Sequence, residues 1–189
     1  SNIDIDPDVE TRGVTNLEFY LYSKSISNTR VFHISGMKKN VKPFSILALL
    51  VPQYYLASKR MYVESLYTTL INIFLEIPFL IQSFNDSNSN QFENLVNTPV
   101  FRVFEVLFFV LFVLFRLAMS VKVLPKYFDK CIEDINNIKK HNSKKDTVKK
   151  LINTKSGINL LALLVVMVAT ELIQSSLYIL IVLLYTRFF

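Results

Sequence analysis

Four apolar stretches interrupt an otherwise polar chain, and their lengths differ in a way that decides how each can be used. Residues 44–58, FSILALLVPQYYLAS, form the shortest and carry Pro52. At about 1.5 Å per residue a helix of that length falls well short of a hydrocarbon core ~30 Å thick. The other three, 61–84, 99–122 and 157–189, each reach the ~20 residues a crossing needs. The last is longer than one straight span requires. Tilt, a kink near Gln174, Ser175 and Ser176, or an interfacial first turn would absorb the excess.

The intervening segments orient these spans. Residues 85–98 hold no Lys or Arg, whereas 122–155 hold ten lysines. Basic loops stay on the cytoplasmic side, so 61–84 runs outward, 99–122 inward and 157–189 outward again. Phe189 then lies outside, with Tyr185 and Arg187 as interfacial anchors. Lys59 and Arg60 precede an outward span and read as a cytoplasmic anchor. The basic cluster from Lys38 to Lys42 fits the same side. With both flanks on one side, residues 44–58 read as a re-entrant or interfacial segment rather than a crossing. The sequence therefore predicts an all-α polytopic membrane protein with three transmembrane helices and one short re-entrant or interfacial segment; the alternative is four transmembrane helices.

Residues 1–42 are mixed and polar. The start, SNIDIDPDVE, reads as a flexible lead-in, and NLEFYLYSKSI (16–26) as a short amphipathic helix capped by Asn16 or as a strand. On this reading the chain divides into a polar, cytoplasmic segment 1–42 and a membrane domain 43–189. Between the last two spans, Tyr127, Phe128, Cys131, Ile132, Ile135 and Ile138 recur at helical spacing, which predicts an amphipathic helix within 123–155. Lys126, Lys130, Lys139 and Lys140 flank that stripe and imply contact with the anionic inner leaflet; the rival is a docking surface for a cytosolic partner. A second short helix carries Val148, Leu151 and Ile152 and ends near Gly157.

Composition agrees with a membrane setting. The chain is 51% hydrophobic, with 16 Phe and 3 Gly among 189 residues. Mean hydropathy is +0.35 and the formal net charge is +6. That charge follows from the lysine-rich cytoplasmic segments and calls for no nucleic-acid partner, since no aromatic-basic platform or known motif accompanies it. One cysteine excludes an internal disulfide and a Cys-x-x-Cys metal site. It reads as a buried small hydrophobe. No cleavable signal pattern is visible in the first forty residues, so the first span is expected to direct insertion.

Six ionisable residues fall within the spans: Glu64, Glu76, Arg102, Glu105, Arg116 and Glu171. Each costs at least ~2.5–3.5 kcal/mol in hydrocarbon and must face an interior or a partner. Equal depth pairs Glu64 with Arg116, and Arg102 with Glu105 or Glu76. Such pairs fix helix register. The functional rival is a proton, cation or polar-substrate path through Glu76, Glu105 and Glu171, with Pro78 opening the helix near Glu76. No metalloprotease, nucleophile-elbow or phosphate-loop motif is present, and no enzymatic activity or cofactor is expected.

The stretch KPFSILALLVPQYYLASKRMYVESL resembles small bacterial membrane proteins of the domain-of-unknown-function family 2628. That family shows a short apolar segment, an aromatic pair and a basic turn near Met-Tyr. Here the turn is Lys59-Arg60-Met61-Tyr62, with the basic residues swapped and Ser65 as the small residue. FRLAMSVKVLPKYFDKCIEDINNIKK is similar to the family's span end and Lys/Ile helix, with Tyr127 as its tyrosine. TKSGINLLALL is similar to its turn before the last span, with Ser156 replacing a Gly. The resemblance covers about residues 40–170. It implies this architecture and a bacterial plasma membrane, but no activity; the Asn/Lys-rich flavour also suits a eukaryotic organelle membrane. The expected role is an accessory or structural subunit of a membrane complex, beside partner subunits. The alternatives are a small transporter or channel component and a membrane-embedded immunity or stress protein.

Overall fold

The computed structural model describes residues 5–38, 43–87, 92–142 and 144–188. The cluster residues Lys39 and Lys42, and parts of the 85–98 connection, lie outside them. Helix accounts for 82% of the structure, and among the described residues the strands are β1 (Glu10–Thr11) and β2 (Val14–Thr15). The chain is an all-α integral membrane protein; among the described residues, three helices are long and apolar enough to span a bilayer. In chain order the helices are α1 (Asn16–Ser23), α2 (Ile26–Met37), α3 (Ile46–Leu50), α4 (Pro52–Ser58), α5 (Tyr62–Ser87), α6 (Glu93–Val96), α7 (Pro99–His141), α8 (Lys145–Thr154) and α9 (Leu160–Phe188). The spans lie in α5, α7 and α9.

The chain forms two compact units, residues 1–46 with 120–158 and residues 47–119 with 159–189. The N-terminal segment folds with the chain that follows the second span. Helix α7 contributes to both units, and it continues past residue 122 through Pro125 without a break.

In the first unit, β1 and β2 pair across a two-residue turn, Arg12-Gly13, in which both residues have positive φ. This is the geometry of the hairpin turn that matches strand twist, and Gly13 fills its second position. Helix α1 starts at a capping box: Thr15 accepts from the Glu18 amide, and Glu18 accepts from the Thr15 amide. The cap is therefore Thr15, one residue before the expected Asn16. The Asn16 side chain is buried and donates to the Asp6 carbonyl at 2.7 Å, with His33 Nδ1 2.6 Å away. Phe19 and Phe32 stack at 4.1 Å and meet Phe128 of α7 edge-on at 5.3 and 5.8 Å. Tyr127, Phe128, Cys131, Ile132, Ile135 and Ile138 are all buried. The predicted apolar stripe is real, but it is covered by protein rather than offered to lipid. Two of its flanking lysines are also engaged. Lys139 donates to the Gly13 carbonyl at 2.7 Å and pairs with Glu18 at 3.0 Å, and Lys130 pairs with Asp134 at 3.5 Å.

In the second unit, residues 44–58 do not form one helix. Val51 adopts φ −141, ψ 62, and α4 restarts with Pro52 at its first position. Proline has no N–H and preorganises a first helical turn, so it ends one helix and begins the next. Pieces of five and seven residues reach only ~8 and ~11 Å. The four-span alternative needs a continuous helix that is not formed here.

Helix α4 ends in a left-handed cap. Arg60 has φ 61, its amide donates to the Ala57 carbonyl, and the Met61 amide donates to Leu56. The accompanying apolar contact comes from Met61 and Leu56, both buried. Lys59 Nζ lies 5.9 Å from the Tyr55 ring centre. The anchor pair is thus half of a helix stop.

Helix α5 continues through Pro78. Helix α9 begins at Leu160 because the Asn159 side chain caps it, accepting from the Ala162 amide at 3.1 Å while its own amide group donates to the Tyr62 hydroxyl at 2.7 Å. It runs through Gln174, Ser175 and Ser176 as one helix. At the other end of the unit, Phe84, Phe92, Val96 and Phe101 form a buried cluster with Tyr178 and Tyr185 packed on it. The expected interfacial anchor Tyr185 instead lies 4.4 Å from Phe92.

Candidate functional site

A polar layer runs through the membrane unit. On α5, Ser65, Thr68, Thr69 and Asn72 are buried, and Glu76 continues the series one turn later. Their spacing places them on one helical face. Helix α4 supplies Gln53 to that face, and α9 supplies Thr170 and Gln174. The Ser65 hydroxyl donates to the Gln53 carbonyl at 2.7 Å, and the Asn72 amide group donates to Gln53 Oε1 at 2.7 Å. Asn72 is 2% exposed, and its own Oδ1 has no protein partner. Thr69 and Thr170 bond back to the carbonyls of Ser65 and Val166 and so satisfy themselves within their own helices.

The layer ends in a charged cluster assembled from four elements. Arg116 of α7 points its guanidinium at the last turn of α3, donating from Nη1 to the Leu50 carbonyl, with the Leu49 carbonyl 3.5 Å away. The final carbonyls of a helix have no intrahelical partner, and the break at Pro52 leaves those of α3 exposed inside the unit. In hydrocarbon each such group must find an internal donor. Arg116 provides that donor, and it lies over the Phe112 ring at 4.6 Å. Its Nη2 sits 3.8 Å from Glu76 Oε1, and Gln174 donates to Glu76 Oε2 at 2.8 Å. The side chains are 12% and 28% exposed for Arg116 and Glu76.

The six predicted residues therefore separate. The structure pairs Arg116 with Glu76, where equal depth had suggested Glu64. Counting residues along each span ignores the length of Arg and Glu side chains, which reach across differences in depth. Glu64 is half-buried in the first turn of α5. Arg102 is exposed and Glu105 half-buried, both in the first two turns of α7. Glu171 is exposed on α9. The neutral members of the layer were missed, although their spacing was visible in the sequence: Ser, Thr, Thr, Asn and Glu at i, i+3, i+4, i+7 and i+11 of an otherwise apolar helix. Among the described residues, no group of three or more His, Cys, Asp or Glu is placed to hold a metal ion.

Chemically, the cluster neutralises one carboxylate, supports a broken helix and leaves one buried amide acceptor unfilled. No family model, no curated protein and no solved structure matches this chain.

Proposed function

We propose that the protein is a non-enzymatic accessory or structural subunit of a membrane complex, docked to partner spans through the outer face of α9. The observation that carries this reading is Glu171. It lies eleven residues into α9, about 17 Å along the axis and near mid-depth. It is exposed, on a span whose apolar window is only 6% buried, against 39% for α5. A carboxylate facing lipid there costs about 2.5–3.5 kcal/mol on insertion scales. A partner helix with a basic or amide donor at the same depth removes that cost. Val168 and Leu172 are exposed on the same face, and Ser175 one turn on is small enough to let a second backbone approach. Glu76 needs no such partner, because Arg116 and Gln174 already serve it.

The test is photocrosslinking in native membranes from a probe at Ser175, compared with one at a position on the buried side of α9. A subunit gives one defined protein adduct from Ser175, co-purification at fixed stoichiometry in mild detergent, and loss of both with Glu171→Leu. A lone monodisperse particle with lipid adducts only would overturn the proposal.

A transporter or channel component is the second reading. Asn72 Oδ1 favours it, being an unfilled acceptor within a buried polar file that leads to Glu76. That reading requires Glu76→Gln to abolish solute or proton flux in liposomes while the protein stays folded; unchanged flux removes it.

A further inference from the structure

We infer that α8 contacts anionic lipid headgroups. Helix α8 has two unlike sides. Val148 and Ile152 are buried and α1 packs on the helix; Lys24 donates to Asn153, and the Gly157 amide donates to the Tyr22 carbonyl at 3.1 Å just after its end. Around the rest of its surface stand Lys149 and Lys150, with Lys145 in the first turn, Lys144 immediately before the helix and Lys155 immediately after it; all five are exposed. Asp146 is the one acid between residues 144 and 155. On α7, Lys139 and Lys130 are held by Gly13, Glu18 and Asp134, while Lys126 and Lys140 are exposed.

The chemistry that fits this face is a surface of many negative charges a short chain-length from a membrane span. Lys155 is five residues from Leu160, where α9 begins. That tether holds α8 near the bilayer that α9 crosses and raises its effective concentration there. Clusters of Lys beside a span are attracted to anionic headgroups within a Debye length. Because the apolar side of α8 is covered by protein, the helix has no face to insert among acyl chains. The contact is electrostatic and at headgroup level, unlike that of an inserted amphipathic helix. The tie from α8 to α1 then lets lipid charge act on the N-terminal unit as a whole.

The full chain is reconstituted in nanodiscs of phosphatidylcholine alone, or with about 30% phosphatidylglycerol. Thr147→Cys, exposed on α8, carries a fluorophore; Cys131 is fully buried and stays unlabelled in the native protein. The readout is quenching by headgroup nitroxide lipid. Quenching should rise at least ~2-fold in the anionic discs, and it should vanish near ~0.5 M salt, where the Debye length is only about 4 Å. The triple change Lys145→Gln, Lys149→Gln and Lys150→Gln should remove the rise, with circular dichroism confirming the fold, and the matching Arg changes should keep it. Equal quenching in neutral discs, or a rise that survives in the Gln variant, would overturn the inference. Loss of the rise on adding a stoichiometric oligonucleotide would reassign the face to nucleic acid and overturn it as well.

Discussion

Replacing Arg116 should be the most damaging single change in the membrane unit, and the reason lies in its geometry. The guanidinium makes hydrogen bonds to the exposed end of α3, but its approach to Glu76 at 3.8 Å is too long for one. Two contributions can therefore be separated. Hydrogen bonds from a charged donor contribute about 1.5–3 kcal/mol each. Removing one partner of a buried charged group costs about 3–5 kcal/mol. Arg116→Leu removes the donor to α3 and leaves Glu76 without its cation, so about 3–5 kcal/mol is expected. Glu76→Gln keeps an acceptor for Gln174 and leaves Arg116 on the α3 carbonyls, so about 1–2 kcal/mol is expected. Arg116→Lys keeps the charge but loses the planar fork, and should fall between them.

The assay is reversible unfolding in mixed micelles, read from the three single variants and the Arg116→Leu/Glu76→Gln double variant. If the cap on α3 dominates, the cost of Arg116→Leu persists largely undiminished in the Glu76→Gln background. If Glu76→Gln alone costs as much as Arg116→Leu, and the double variant costs no more than either, the ion pair carries the stability and the capping argument is refuted. A probe on Tyr54 or Leu50 should also report loosening of the α3–α4 break in Arg116→Leu and none in Glu76→Gln.

Two further outcomes follow from local geometry. Arg60 holds a left-handed backbone at the end of α4, a conformation costing a non-glycine residue roughly 1–2 kcal/mol. Arg60→Gly should raise the unfolding free energy by about 1 kcal/mol, whereas Arg60→Val should lower it; equal effects would mean that the cap geometry is irrelevant. Phe128 meets both Phe19 and Phe32, so Phe128→Ala should destabilise the first unit by about 3–5 kcal/mol. Native-state maleimide labelling of buried Cys131 should then speed up by roughly a hundredfold or more, at about 1.4 kcal/mol per tenfold. An unchanged labelling rate would show that the aromatic cluster does not hold this unit together.

The sequence made legible what depends on local pattern. Runs of apolar residues marked three spans, and Pro52 marked the break in residues 44–58. The stripe from Tyr127 to Ile138 was correctly placed on a helix. Its covering was not legible, because Phe19 and Phe32 lie roughly a hundred residues away in a segment whose own pattern is too short to declare a fold. The capping box from Thr15 to Glu18 was a readable sign that this segment is ordered. Helix α7 runs on through Pro125 as one helix, so the span and the stripe are not separate elements, although a proline stands between them. The Arg116–Glu76 pairing depends on how far two long side chains reach across neighbouring helices, and residue counting along each helix does not contain that.

Sorting the intramembrane charges by what neutralises them separates them more sharply than their depth does. Glu76 and Arg116 answer to each other, to Gln174 and to the broken end of α3, so their polarity is internal to the unit. Arg102 and Glu105 sit within two turns of the start of α7, where a long side chain reaches headgroups and water. Glu64 occupies the first turn of α5 and is half-buried there. Glu171 differs from all of these: it is near mid-depth, exposed, and on the span that this chain itself covers least. The same molecule thus shows both solutions to a charge in hydrocarbon. Where it needed a carboxylate for its own architecture, it surrounded Glu76 with an arginine and an amide. On α9 it placed a carboxylate to which no arginine or amide is brought among the described residues, and in hydrocarbon that is the charge left to be neutralised from outside the unit.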